Sequence, residues 1–291
     1  MPKKKIPVTR TDDFFMVKQN FHSIEHDLQA FSKNIDLVST SRNCKMSLKK
    51  INTERRVENP TYINKYSTNT HNKIYNTSNL KILHQNVRVL NRKTEEFLFS
   101  LAEINPQIIC VTEHHRSLEE INICDFGQYT LRAKYCRRLF KYGGVTILTH
   151  RNLISKEIDL NKYCSEKDLE ICAIKVKLKS TTLLILCVYR SPKGNFSYFL
   201  KQIEKLLTEL YKPLEKIIMC GDFNVNFLDP LSRAPELESL LLSFCLESTV
   251  SFKTRVTSNS QTLIDNIFLE KKFFQLQIYP FVNGISDHEH S

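Results

Sequence analysis

From residue 80 onward, short apolar runs rich in β-branched residues alternate with stretches whose apolar positions recur at helical spacing. Residues 81–87 (KILHQNV) read as a strand, 92–104 (RKTEEFLFSLAEI) as a helix and, after Pro106, 107–113 (QIICVTE) as a second strand. Residues 143–150 (GGVTILTH), 171–178 (ICAIKVKL) and 182–189 (TLLILCVY) read as consecutive antiparallel strands, the last two a hairpin across a short polar turn. Residues 196–211 (FSYFLKQIEKLLTELY) place apolar side chains at 199, 200, 203, 206, 207 and 210, one helical face, before 216–224 (KIIMCGDFN) return as a strand. A further helix (236–246) and strand (262–269) follow. Mixed strands with helices between them imply an α/β fold of two sheets packed face to face, helices outside.

The first 79 residues differ. They are rich in Asn, Thr, Ser and Lys, and all six glycines of the 291-residue chain lie beyond them. Residues 41–79 have the composition of a disordered linker, whereas the apolar spacing over 14–35 predicts one amphipathic helix. We therefore divide the chain into a mostly disordered basic region, 1–79, and a folded domain, 80–291. The net charge of +11 is concentrated in the former, which holds fourteen basic residues against seven acidic. Such a surplus favours a polyanionic partner, nucleic acid ahead of membrane. The longest apolar run, 182–189, is far shorter than the ~20 residues of a spanning helix, and the amino terminus has no apolar signal core. The expectation is a protein that is neither secreted nor membrane-bound, and the KKK at 3–5 is a minimal nuclear address, the cytoplasm being the alternative. Nine cysteines with no CxxC pair read as reduced core thiols, not disulfides or a zinc knuckle.

Nearly every buried-looking strand ends in a polar residue: Asn86, Glu113, Tyr189, Asp222 with Asn224, Asp265 with Asn266, and Asp287 with His288. Singly, a carboxylate or amide after a strand is more often a cap or turn residue. Jointly they form an inventory. Glu113, Asp222 and Asp287 supply the oxygen ligands that a hard cation such as Mg²⁺ takes, and without a metal they would repel one another. Asp265 could orient the His288 imidazole, and Asn86 and Asn224 offer neutral donors to phosphate oxygens. Metal ligands, base, imidazole and amides, with no reactive Ser or Cys arrangement, fit hydrolysis of a phosphate ester by activated water. His114 and His115 flank Glu113, but strand alternation lets at most one share its surroundings.

The motifs HQNV (84–87), VTEHH (111–115), VYRSPKGN (188–195), GDFNVN (221–226), SQTLIDNIF (260–268) and SDH (286–288) resemble, in order and spacing, the endonuclease/exonuclease/phosphatase superfamily. More narrowly they are similar to the apurinic-type endonuclease domain of non-LTR, LINE-like retrotransposons. The resemblance covers about residues 80–288 and implies a four-layer α/β sandwich. It implies metal ligation by Glu113 and Asp287, with Asn86 helping to set the metal, Mg²⁺ or Mn²⁺, and the phosphate. Asp222 would orient or deprotonate the attacking water, Tyr189 and Asn224 would hydrogen-bond the scissile phosphate, and His288, oriented by Asp265, would stabilise charge on its oxygens. Whether Asp222 or His288 is the base stays open.

DNA contacts are expected from Arg190 and Lys193 in the YRSPKGN motif, and from Arg137 and Arg138 in the basic stretch 132–141, which also holds Tyr135 and Phe140. Two positions depart from the family pattern: Arg88 where many members carry an acid, and Val89 where retrotransposon relatives often have Gly. The chain ends soon after Asp287–His288, before the closing strand that the resemblance implies, so it reads as a truncated copy whose reverse transcriptase region, and element RNA, would be further partners. The function expected is Mg²⁺-dependent hydrolysis of a DNA phosphodiester for target-site nicking. The alternatives are a degenerate relic that at most binds nucleic acid and, on the same fold, a phosphatase or phosphodiesterase of small phosphate esters.

Overall fold

The computed structural model describes residues 14–20, 79–90, 93–178, 181–257 and 259–280, with the backbone alone at 14–20, 79 and 275. These residues fall in one compact unit, Met1–His22 with Tyr75–Ser291; a second, Ser23–Ile74, lies outside the described residues. In chain order the strands are β1 (Phe14–Asn20), β2 (Asn79–Asn86), β3 (Ile108–Thr112), β4 (Tyr129–Tyr135), β5 (Val145–His150), β6 (Ser155–Ile158), β7 (Glu170–Lys177), β8 (Thr182–Tyr189), β9 (Glu215–Asp222), β10 (Glu247–Ser248), β11 (Arg255–Val256), β12 (Gln261–Thr262), β13 (Asp265–Leu269) and β14 (Gln275–Pro280). The helices are α1 (Thr94–Ser100), α2 (Leu118–Asn122), α3 (Phe196–Leu210) and α4 (Ala234–Ser243).

Two six-stranded sheets result, ordered β14-β1-β2-β3-β5-β4 and β10-β13-β9-β8-β7-β6, and β11 and β12 form a separate hairpin. Helices α1 and α2 cover the outer face of the first sheet through Phe97, Leu101 and Ile121 against Leu83, Ile109 and Leu148. Helices α3 and α4 cover the outer face of the second through Phe199, Ile203, Leu206, Leu237 and Leu241 against Leu184, Leu186 and Met219. The arrangement is a four-layer α/β sandwich of two packed mixed sheets flanked by helices, as expected.

Alternation along each strand explains how the inner faces meet. In the second sheet the inward positions are Leu183, Ile185 and Cys187 on β8, Ile218 and Cys220 on β9, Ile174 and Cys172 on β7, and Leu269 and Ile267 on β13. The first sheet answers with Leu80 and Ile82 on β2 and Ile108 and Cys110 on β3. The core between the sheets is therefore aliphatic at one end and gives way to a layer of four fully buried thiols, Cys110, Cys172, Cys187 and Cys220. All eight cysteines within the described residues are free. Burial pushes the four core thiols above their ordinary range, which keeps them protonated and inert, although Cys220 owes this first to a hydrogen bond with Cys110.

Two expectations need correction. Residues Phe14–Asn20 are strand β1, held between β2 and β14 by antiparallel pairing on both sides, and not the start of a helix; the rest of that expected helix lies outside the described residues. Residues 143–150 do not continue into the 171–189 hairpin, because β5 pairs with β3 and β4 in the first sheet and β7 and β8 belong to the second. The basic stretch is part strand: Arg132 to Tyr135 complete β4, and residues 136–141 are loop. Among the described residues no helix is long and apolar enough to cross a membrane.

Candidate active site

The polar residues singled out above continue the inward-facing rows past the thiol layer. Register places Glu170 opposite Tyr189, Tyr189 opposite Asp222 and Asp222 opposite Asp265, one row across β7, β8, β9 and β13. In the first sheet the row after Ile82 is His84 and then Asn86, with Thr112 opposite Asn86. Both sheets thus finish in polar side chains at the same end of the sandwich. There a cleft of about 320 Å³ is lined by Asn86, Arg88, Glu113, His115, Tyr142, Tyr189, Pro192, Asp222, Asn224, Arg255 and Ile264.

Asn86 is the hinge of the arrangement. Its Nδ2 donates to Glu113 Oε1 and to Asp222 Oδ2, each at 2.9 Å, while its Oδ1 accepts from the Arg88 amide at 3.1 Å. One amide therefore ties the carboxylate of the first sheet to that of the second. The other Glu113 oxygen lies 3.1 Å from His115 Nε2, and the other Asp222 oxygen accepts from the Asn224 amide at 2.9 Å. Asn224 Nδ2 donates to the Arg190 carbonyl at 2.7 Å, fixing that side chain beside Tyr189. Backbone strain concentrates here: Arg88 (φ 40°), Val89 (95°), Glu113 (55°), His115 (55°) and Asn224 (48°) all occupy the left-handed region.

Electrostatics separates the two acids. Burial pushes Asp222 up to about 7, with the Glu113 charge adding to it, against hydrogen bonds from Asn224 and Asn86 and the nearby Arg255. Burial also raises Glu113, but hydrogen bonds from His115 and Asn86 outweigh it and hold this carboxyl below its ordinary range. Two neighbouring carboxyls pushed apart in this way mark one ionised group and one that can take up a proton near neutrality. Burial drives the Tyr189 hydroxyl well above its ordinary range, and Glu113 and Asp222 push it further, so it is a donor. His84 Nδ1 lies 3.8 Å from Asp265 Oδ1, both fully buried, and burial lowers His84 to about 3.

Asn86, Glu113, Tyr189, Asp222 and Asn224 come together at the cleft, Asp265 joins the row behind it, and Asp287 and His288 lie outside the described residues. Two of the four cations expected to touch DNA are placed otherwise. Arg190 is 5% exposed and donates to the carbonyls of Phe223, Ser191, Gly194 and Asn224, which leaves it a rivet between the β8–α3 and β9–α4 connections. Arg137 is buried against Glu170. Lys193 and Arg138 are exposed. His115 shares the site and His114 does not; the latter is buried against the Tyr135 carbonyl. Sequence reasoning missed Tyr142 and Arg255 as cleft residues. Arg255 lies on the β11–β12 hairpin, which is rooted by Thr254 Oγ1 accepting from the Ile264 and Asp265 amides at 3.1 Å.

Known proteins share this architecture. Residues 183–291 match the family described as endonuclease-reverse transcriptase. The solved endonuclease domain of TRAS1, a telomere-specific non-LTR retrotransposon, superposes with a TM-score of 0.52 at 14% identity, covering 66% of this chain and 84% of that one. The chain shares the fold of that endonuclease domain. The Neisseria 3′ phosphatase NExo bound to a product DNA hairpin (TM-score 0.48, 15% identity, 66% and 86% covered) and an apurinic endonuclease from Archaeoglobus fulgidus (0.47, 15%, 66% and 87%) also match. No curated protein sequence matches the chain.

The motif resemblance implies a divalent metal. Among the described residues no three His, Cys, Asp or Glu side chains form a group that could hold one. The donor chemistry nevertheless fits. Two carboxylates share one amide, burial and then the Glu113 charge raise Asp222, and a hard cation that keeps most of its waters needs only one or two carboxylates.

Proposed function

We propose that the chain is a Mg²⁺-dependent endonuclease that hydrolyses a phosphodiester bond in DNA. The observation that carries this reading is the joining of Glu113 and Asp222, one from each sheet, through Asn86 in a single cleft that Tyr189 and Asn224 also border. Asp222, buried and pushed up to about 7, accepts the proton of the attacking water as its oxygen bonds to phosphorus. Tyr189 and the Asn224 amide hydrogen-bond the phosphate oxygens on which negative charge builds. The bond from phosphorus to the 3′ oxygen breaks, leaving a 5′-phosphate and a 3′ oxyanion that takes a proton from solvent to become the 3′-hydroxyl. A divalent cation, which Glu113 and Asn86 would hold, supplies neutralisation of the phosphate charge when bound. His288, oriented by Asp265, and Asp287 belong to the same proposal from the family pattern. The net charge of +11 and the match to endonuclease-reverse transcriptases support a DNA substrate and a nick whose 3′-hydroxyl primes reverse transcription, ahead of a small phosphate ester.

The test is a labelled duplex incubated with the chain and Mg²⁺. The expected result is a single-strand break whose 3′ end a polymerase extends without prior trimming. Release of inorganic phosphate from inositol phosphates, with the duplex left intact, would overturn the reading in favour of the phosphatase alternative.

A further inference from the structure

Arg137 lies in the loop joining β4 to β5, yet its side chain is only 7% exposed. Its Nε donates to Glu170 Oε1 at 2.7 Å, and Nη2 lies 2.5 Å from the same oxygen. Nη2 also donates to the Ser191 hydroxyl at 2.7 Å, and Nη1 to the Lys141 carbonyl at 3.2 Å. The guanidinium carbon sits 5.7 Å from the centroid of the Tyr189 ring, within cation–π range. Glu170, fully buried, is further satisfied by the Gly144 amide at 2.6 Å and the Lys167 amide at 3.1 Å. The loop is shaped to admit the guanidinium: a Cβ on Gly143, at φ +93°, would lie 2.3 Å from Arg137 Nε.

A buried ion pair is weak evidence for stability, because desolvating two charges offsets most of their attraction. What this pair touches is therefore informative. Glu170 is the register partner of Tyr189, Arg137 packs on the Tyr189 ring, and Ser191, which Arg137 holds, lies two residues beyond Tyr189. A chain of contacts runs from Glu170 through Arg137 to the face of the Tyr189 ring and to Ser191 in the segment that follows it.

We propose that the buried Glu170–Arg137 pair is a positioning device that, through Ser191 and the face of the ring, fixes Tyr189 at the mouth of the cleft. Arg137 acts on Tyr189 and does not touch DNA. The consequence for catalysis rests on the reading of Tyr189 as a phosphate contact; the brace itself does not.

The experiment compares the full chain with Arg137→Gln, Arg137→Lys and, as a control, Arg138→Gln. Arg137→Lys keeps the charge that Glu170 needs but loses the planar fork, so it carries the test if Arg137→Gln fails to fold. With duplex DNA and Mg²⁺ both Arg137 variants are expected to lose about 10- to 100-fold in kcat, the scale of a misplaced group, with KM changed less than about twofold. The salt dependence of duplex binding, measured in Ca²⁺ without cleavage, is expected to stay as in the parent for Arg137→Lys and Arg137→Gln. A phosphate contact would instead lower the slope by about one, the result expected for Arg138→Gln. The readout independent of activity is the ¹⁹F resonance of Tyr189 in fluorotyrosine-labelled protein, assigned by its loss in Tyr189→Phe, which is expected to shift or broaden in both Arg137 variants. An unmoved resonance overturns the brace whether or not the chain cleaves DNA. A moved resonance with unchanged kcat in a cleaving chain overturns its catalytic consequence, and a lowered salt slope with raised KM overturns the positioning role in favour of direct contact.

Discussion

Asp222 is 1% exposed and stands beside Glu113, so its carboxyl holds a proton that the same group in the unfolded chain has already lost. Between the ordinary carboxyl range and about 7 the folded state binds more protons than the unfolded one, and stability must fall as pH rises through that window. Asp222→Asn has no proton to lose. In chelator it is expected to melt above the parent at pH 8, with the difference vanishing towards pH 4; equal melting at both values would contradict the burial-driven shift. Val89 gives a second residue-scale expectation. A β-branched residue at φ +95° is strained by about 1–3 kcal/mol, so Val89→Gly should be stabilising or neutral in urea titration, the reverse of the usual effect of glycine. Asn86, Glu113, Tyr189, Asp222 and Asn224 were legible in the sequence because each follows an apolar run at the end of a strand. Arg137 and Arg190 were not, because a cation inside a motif reads equally as a contact or a rivet, and only its tertiary partners decide.

Among the elements, α3 shows why local reading worked where it did. Its apolar face at 199, 203, 206 and 207 is the face buried on the second sheet, and Asn195 caps it by accepting from the Tyr198 amide at 3.0 Å. Asn195→Ala is expected to cost about 1 kcal/mol in urea unfolding with an unchanged m-value. Strand β1 shows where local reading fails. Over only seven residues, FFMVKQN fits a strand as well as the start of a helix, and its pairing partners β2 and β14 begin some sixty and two hundred and fifty residues further on. The division of β5 and β7 between two sheets is equally invisible to periodicity, which reports a strand but not its neighbour.

On the scale of the whole molecule, two sheets each contribute one carboxylate to a shared cleft, so ligand binding there should stabilise the sandwich as a unit. Mg²⁺ at about 100 times its dissociation constant is expected to add about 2.7 kcal/mol, visible as a raised melting temperature that Glu113→Gln abolishes. The fold itself was legible from alternating strands and helices, and the motif resemblance implied the same four-layer sandwich. The most direct test of the central claim is nicking of supercoiled plasmid by the full chain with Mg²⁺, beside Asp222→Asn. Open-circular product is expected from the parent, with a loss of about 10²- to 10⁴-fold in Asp222→Asn, the usual worth of a general base. Plasmid left supercoiled by a folded parent, or nicked equally by Asp222→Asn, would contradict that claim.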